Sequence, residues 1–182
     1  MEHPERETPR GELVGSTVHA ELSGRGQTLA TAESLTGGAL ADLLSAAPGA
    51  SEVFLGGVVT YATALKLSLL GVREETVAEH GVVSSQCAAE MAAGVRRLAG
   101  SDWGLSTTGV AGPSTQEGKP VGRVHLGVAG PEGTTTRELH LDGDRAQVRA
   151  AACEEAAVAL VRALGVAGPG DGTDDGSDGQ PG

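Results

Sequence analysis

Short β-branched runs alternate with longer apolar runs of helical spacing from Thr28 to Leu164, yet aromatic residues make up only 2% of the chain. A core built from Val, Leu and Ala instead of rings favours helices laid closely on a sheet, with small side chains at the contacts. The 182 residues suffice for one domain, burying about 70% of the surface an unfolded chain exposes. Leu13, Val14, Val18 and Leu22 predict a helix stopped by Gly24-Arg25-Gly26, and a strand follows at 28–32. A helix over 36–46 ends at Pro48-Gly49, a strand at 57–61 leads into a helix over 63–70, and Val82-Val83-Ser84-Ser85 opens a helix that Gly100 stops. Strands are predicted at 103–107, 122–129 and 134–141, the last two paired antiparallel across Gly130-Pro131-Glu132-Gly133. Asp144 to Gln147 has the form of a capping box before a long closing helix that carries Val148, Ala152, Ala156, Leu160 and Leu164. The expected fold is therefore α/β: a three-layer α/β/α sandwich on a mixed, mostly parallel sheet of about five strands, with five or six helices. Residues 11–166 form the domain, 1–10 are expected to be a flexible tail, and the Gly/Asp-rich 167–182, unable to bury apolar surface, a disordered one.

The charge balance excludes some partners. Twenty-four acidic against thirteen basic residues give a net charge of −11, which opposes the phosphate neutralisation that nucleic-acid binding requires. No apolar run approaches the roughly 20 residues of a membrane span. Met1 to Arg10 is charged and holds two prolines, unlike a signal peptide. Cys87 and Cys153 show neither CxxC nor zinc spacing, so a reduced, cytoplasmic setting is expected.

Three segments that follow predicted strands carry unusual residues, and in open α/β sheets ligands bind outside the carboxyl ends of strands. The stretch Thr31-Ala32-Glu33-Ser34-Leu35-Thr36-Gly37-Gly38 places a serine where a helix begins. It reads either as a cap and tight connection or as a site for an anion or the oxyanion of acyl transfer. Tyr61-Ala62-Thr63-Ala64-Leu65-Lys66 brings tyrosine and lysine together only if Tyr61 ends the strand. With Thr63 as N-cap, Lys66 falls in the first turn, whose positive end lowers an ammonium pKa and yields a usable base; otherwise Lys66 snorkels along the helix. The third segment, Thr108 to Lys119, is not a phosphate-binding P-loop, because five residues separate Gly112 from Gly118 and Pro120 follows the lysine. It remains either a mobile loop or a Gly-rich anion cradle. Its Lys119 could then hold a phosphate. The five histidines form no HExxH pair, so no metal site is indicated.

TAESLTGG, VTYATALK, LLGV, HGVVSS, TGVAGP, KPVG and GDRAQVR, in this order between about Leu13 and Leu164, closely resemble the CinA C-terminal domain family of nicotinamide-nucleotide amidohydrolases. The resemblance implies deamidation of nicotinamide mononucleotide to nicotinate mononucleotide and ammonia in pyridine-nucleotide recycling. No metal or organic cofactor is implied. It implies Ser34 as nucleophile with Tyr61 and Lys66 as activating partners, Lys66 as base and Tyr61 as relay or orienter. Oxyanion donors are expected near Gly37 and Gly38 or in the Thr108-Gly109 turn, and substrate contacts extend to Thr31, Glu33, Thr36 and Gly112; Lys119 and Arg145 are the candidate partners of the substrate phosphate, with a structural place in the first turn of its helix as the equal alternative for Arg145. A homo-oligomer, a dimer, and a stand-alone form of the domain are also implied. The chain departs from the family pattern at Leu35, where a cysteine is frequent. It departs again at Ala62, Thr63, Ala64 and Leu65, where Ser-Asn-Glu-Ala is common, and at Ser114-Thr115-Gln116-Glu117, where relatives are richer in glycine. Those losses motivate a competing expectation, a non-catalytic nucleotide- or protein-binding module of the same fold.

Overall fold

A computed structural model describes residues 10–166; the two expected tails lie outside them, apart from Arg10, which begins a helix. The elements run α1 (Arg10–Arg25), β1 (Leu29–Glu33), α2 (Ala39–Ser45), β2 (Phe54–Val59), α3 (Thr63–Leu70), α4 (Glu74–His80), α5 (Ser85–Ala99), β3 (Trp103–Gly109), β4 (Arg123–Gly130), β5 (Gly133–His140) and α6 (Arg145–Ala163), with one 3₁₀ turn at Ala50–Glu52. The sheet order is β2-β1-β3-β4-β5. β1 pairs parallel with both β2 and β3, whereas β3–β4 and β4–β5 are antiparallel, so only β4 runs against the other strands. No helix among the described residues is long and apolar enough to cross a membrane.

Helices cover both faces. α1, α2 and α6 close one, around Val14, Leu22, Leu40, Val148 and Leu160; α3, α4 and α5 close the other, around Leu70, Val83, Met91 and Val95. Double cover explains why every residue of β1 and β3 is buried, while the edge strand β5 is exposed at all but one position. The scarcity of rings has its counterpart in how closely α5 lies on the sheet. A Cβ on Gly104 of β3 would run into the carbonyl of Ala92, and one on Gly127 of β4 into that of Ala88.

The differences from the sequence reading have local causes. The second helix starts at Ala39, not Thr36, because Gly37 and Gly38 take left-handed φ of 60° and 100° and the Glu33 carboxylate accepts from the N–H groups of Gly38, Leu40 and Ala41. β2 begins three residues earlier than expected and ends at Val59, leaving Tyr61 beyond the strand. α4, with Thr76 as its one buried residue, has no apolar periodicity to announce it. The capping box at Asp144 and Gln147 forms as expected.

Candidate functional site

The chain leaves β1 for β2 on one side, then returns to β3 on the other, with connecting helices on opposite faces. The carboxyl end of β1 is thus the point where strand order switches, the usual place for a ligand crevice. Ser34 sits there, one residue past β1, and its N–H donates to the carbonyl of Thr107 on β3 at 3.0 Å. Ser34 to Gly38 form a turn in which Gly37 N–H donates to the Ser34 carbonyl at 3.2 Å. The turn is held from three sides: Glu33 caps its far end, the Thr36 and Thr107 hydroxyls share a 2.8 Å bond, and Arg149 of α6 donates to the carbonyls of Leu35 (3.1 Å) and Thr36 (2.6 Å).

Lys66 reaches this turn from α3. Its N-cap is Ala62, not Thr63, so Lys66 is the fourth helical residue. The side chain is buried, 1% exposed, and Nζ lies 3.0 Å from Ser34 Oγ while donating to the carbonyls of Thr60 (2.6 Å) and Tyr61 (3.4 Å). Its pKa is lowered chiefly by burial, which disfavours the ammonium; the nearby Glu117 carboxylate acts in the opposite direction. The sequence attributes that lowering to the helix end, whereas loss of water is the larger cause. Protonated, Lys66 has a hydrogen for each of its three neighbours; neutral, it keeps two for the carbonyls and turns its lone pair to the serine hydroxyl. Burial also pushes the Cys87 thiol up to about 11, so it stays uncharged beside the pair.

Tyr61 joins the pair through its main chain. The residue is 58% exposed, and its hydroxyl accepts from Arg145 Nη2 at 2.9 Å, while Arg145 Nη1 donates to the Gly112 carbonyl at 2.7 Å. Tyr61, Gly112 and Arg145 therefore form a second cluster at the surface. Lys119 is placed differently from the expectation for a phosphate partner. Its Nζ donates to the carbonyls of His80 and Val83 and lies 3.6 Å from the Glu117 carboxylate, which itself accepts from the N–H groups of Val82 and Val83. These bonds fasten the 112–119 loop to the start of α5 and use up the lysine.

The remaining candidates divide in the same way. Thr31 lies inside the sheet, its hydroxyl filling the space a Cβ on Gly57 would need. Glu33 is 1% exposed with both oxygens engaged, and the buried Thr108 hydroxyl donates to the Val82 carbonyl. Gly109 packs against the backbone of Arg123 and Val124. The Gly37 and Gly38 N–H groups, expected as oxyanion donors, already serve Ser34 and Glu33. Leu35 and Thr36 N–H have no acceptor among the bonds of the described residues. Sequence reasoning missed Thr60, Thr107, Glu117 and Arg149; for Arg149 a signal existed, since it stands one helical turn after Arg145 on the same face. A cavity of about 900 Å³ lies elsewhere, between Gln27, Trp103, Arg137 and Leu164.

An open α/β domain with a partly buried serine–lysine contact at its strand-switch point is the class these features define. The chain belongs to the CinA C-terminal domain family, whose sequence profile matches residues 12–164. It is 58% identical over 125 residues to a CinA-like protein of Frankia casuarinae, covering 69% of this chain and 29% of that protein. To a CinA-like protein of Anaeromyxobacter dehalogenans it is 52% identical over 149 residues, covering 81% and 36%. The chain thus spans about a third of the length of these curated relatives. Among solved structures, a competence-damaged protein (CinA) superfamily protein from Klebsiella pneumoniae superposes with a TM-score of 0.83 at 36% identity, covering 85% of this chain and 98% of that one. One from Escherichia coli gives 0.82 at 31%, covering 90% and 94%.

Proposed function

We propose that this domain hydrolyses the carboxamide of nicotinamide mononucleotide, releasing ammonia and nicotinate mononucleotide, with Ser34 as nucleophile and Lys66 as its base. The 3.0 Å contact between Lys66 Nζ and Ser34 Oγ carries the proposal, because a serine hydroxyl attacks an amide only when a base with a suitable pKa takes its proton. The substrate follows from the resemblance of the ordered motifs to the nicotinamide-nucleotide amidohydrolases.

In this reading neutral Lys66 removes the Ser34 proton as Oγ bonds to the carboxamide carbon. The carbonyl oxygen becomes an oxyanion facing the unengaged N–H groups of Leu35 and Thr36. The intermediate collapses with cleavage of the C–N bond, and the ammonium of Lys66 returns its proton to the departing ammonia, leaving a nicotinoyl ester on Ser34. Water then attacks the ester carbon, Lys66 accepts a water proton, and Ser34 leaves as the hydroxyl on receiving it. Arg145, exposed beside Tyr61, is the cation for the phosphate. Tyr61 orients Arg145 and, through its carbonyl, Lys66.

Ammonia release from nicotinamide mononucleotide is the test, with Ser34→Ala and Lys66→Ala in parallel. Turnover by the wild type that both substitutions abolish supports the proposal. A wild type that binds the nucleotide and releases no ammonia overturns it in favour of a binding module, the reading that the altered Ala62–Leu65 segment motivates.

A further inference from the structure

Arg149 touches no group that would react, yet its guanidinium holds two consecutive carbonyls of the serine turn, Leu35 through Nε at 3.1 Å and Thr36 through Nη2 at 2.6 Å. We infer that Arg149 is a positioning residue that fixes the oxyanion donors of Ser34 chemistry, an inference that rests on the serine-hydrolysis reading above.

The peptide unit is planar and trans, so its N–H and C=O point in opposite directions. Holding the Leu35 carbonyl toward α6 turns the Thr36 N–H of the same plane away from α6. Holding the Thr36 carbonyl fixes the next plane, whose N–H belongs to Gly37 and donates to the Ser34 carbonyl at 3.2 Å. That bond in turn fixes the plane between Ser34 and Leu35, and with it the Leu35 N–H. One guanidinium therefore orients three successive planes, two of which carry the N–H groups left without an acceptor.

The other supports do not duplicate this. Glu33 grips the turn at Gly38 and beyond, and the Thr36 hydroxyl on Thr107 restrains a side chain, not the Leu35–Thr36 plane. The planar fork of arginine suits two neighbouring acceptors, whereas a lysine ammonium is a single flexible donor group. Donors fixed before the reaction stabilise an oxyanion without reorganising, and loss of one costs about 10²–10³ in rate.

The experiment follows acylation of Ser34 by p-nitrophenyl acetate, read as p-nitrophenolate release, in wild type, Ser34→Ala, Arg149→Lys and Arg149→Ala. Melting temperatures, and kcat and KM for nicotinamide mononucleotide, are measured on the same preparations. Arg149→Lys is expected to acylate about 10- to 100-fold more slowly than wild type, with kcat lowered in step and KM and melting temperature close to wild type. An unchanged acylation rate in Arg149→Lys, or a loss expressed in KM instead of kcat, overturns the inference. A wild type that acylates at Ser34 but leaves the nucleotide intact overturns the substrate assignment alone, and the ester rates still decide the role of Arg149. A wild type no faster than Ser34→Ala overturns the inference together with the serine reading.

Discussion

Lys66 is buried to 1% exposure with its amine against Ser34 and two carbonyls. Because burial lowers its folded-state pKa below the ordinary 10.5, the unfolded chain holds more protons in the window between the two values, and stability rises with pH across it. Below that window the cost of a buried ammonium is present in full. Lys66→Met removes this term. Its stability relative to wild type is therefore expected to be greatest on the low-pH side of that window and to decline as pH rises toward the ordinary lysine value, as urea unfolding at several pH values would record. Under the proposed mechanism the rate climbs with pH as Lys66 loses its proton and levels off below 10.5. Tyr61→Phe removes only the hydroxyl that Arg145 donates to and leaves the carbonyl near Lys66 in place. A KM for the nucleotide raised about three- to tenfold with kcat nearly unchanged is expected, since a lost hydrogen bond is worth roughly 1 kcal/mol; a kcat loss of 100-fold would instead make the phenol a proton relay. The segments of Ser34 and Lys66 stand out in the sequence because each has a local pattern of strand end, turn and helix start, and the family resemblance supplied their roles. The engagements of Lys119 and Arg149 do not stand out, because their acceptors are carbonyls more than thirty residues away.

The turn between β1 and α2 owes its shape to a carboxylate. Both oxygens of Glu33 accept main-chain N–H groups, three bonds in all, doing for α2 what a side-chain cap does elsewhere while Gly38 occupies the cap position without one. Glu33→Gln keeps one acceptor oxygen and sets an NH₂ against N–H donors. A loss of about 1–3 kcal/mol in urea unfolding is expected, with reduced Ser34 acylation as the turn loosens. Elements with strong local signatures, the Asp144–Gln147 capping box and the apolar stripe of α5, were legible in the sequence. The start of β2 was not, since Gly56 and Gly57 interrupt its β-branched run and the register with β1 shifts there. Nor was α4, which buries only Thr76.

Sheet and helix layers meet with little room between α5 and strands β3 and β4, where Gly104 and Gly127 face the carbonyls of Ala92 and Ala88. Gly104→Ala or Gly127→Ala must push the helix outward, at an expected cost of about 1–3 kcal/mol readable by thermal unfolding. The layered order was legible because it follows from alternating periodicities. The approach of the three loops to one another was anticipated only as a rule about strand ends, and the division of their residues between chemistry and support depends on packing. The two halves of the serine–lysine pair stand on ground of different firmness. Ser34 is bonded to β3 beside strands buried throughout, whereas α3 is anchored by buried Lys66 and Leu70 and half-buried Leu67, with its other residues exposed. Amide protons of α3 should therefore exchange with deuterium faster than those of β1 and β3. Ser34 reactivity should then fade at urea concentrations where the sheet is still intact, so that the domain is switched off by fraying at its rim before its centre gives way.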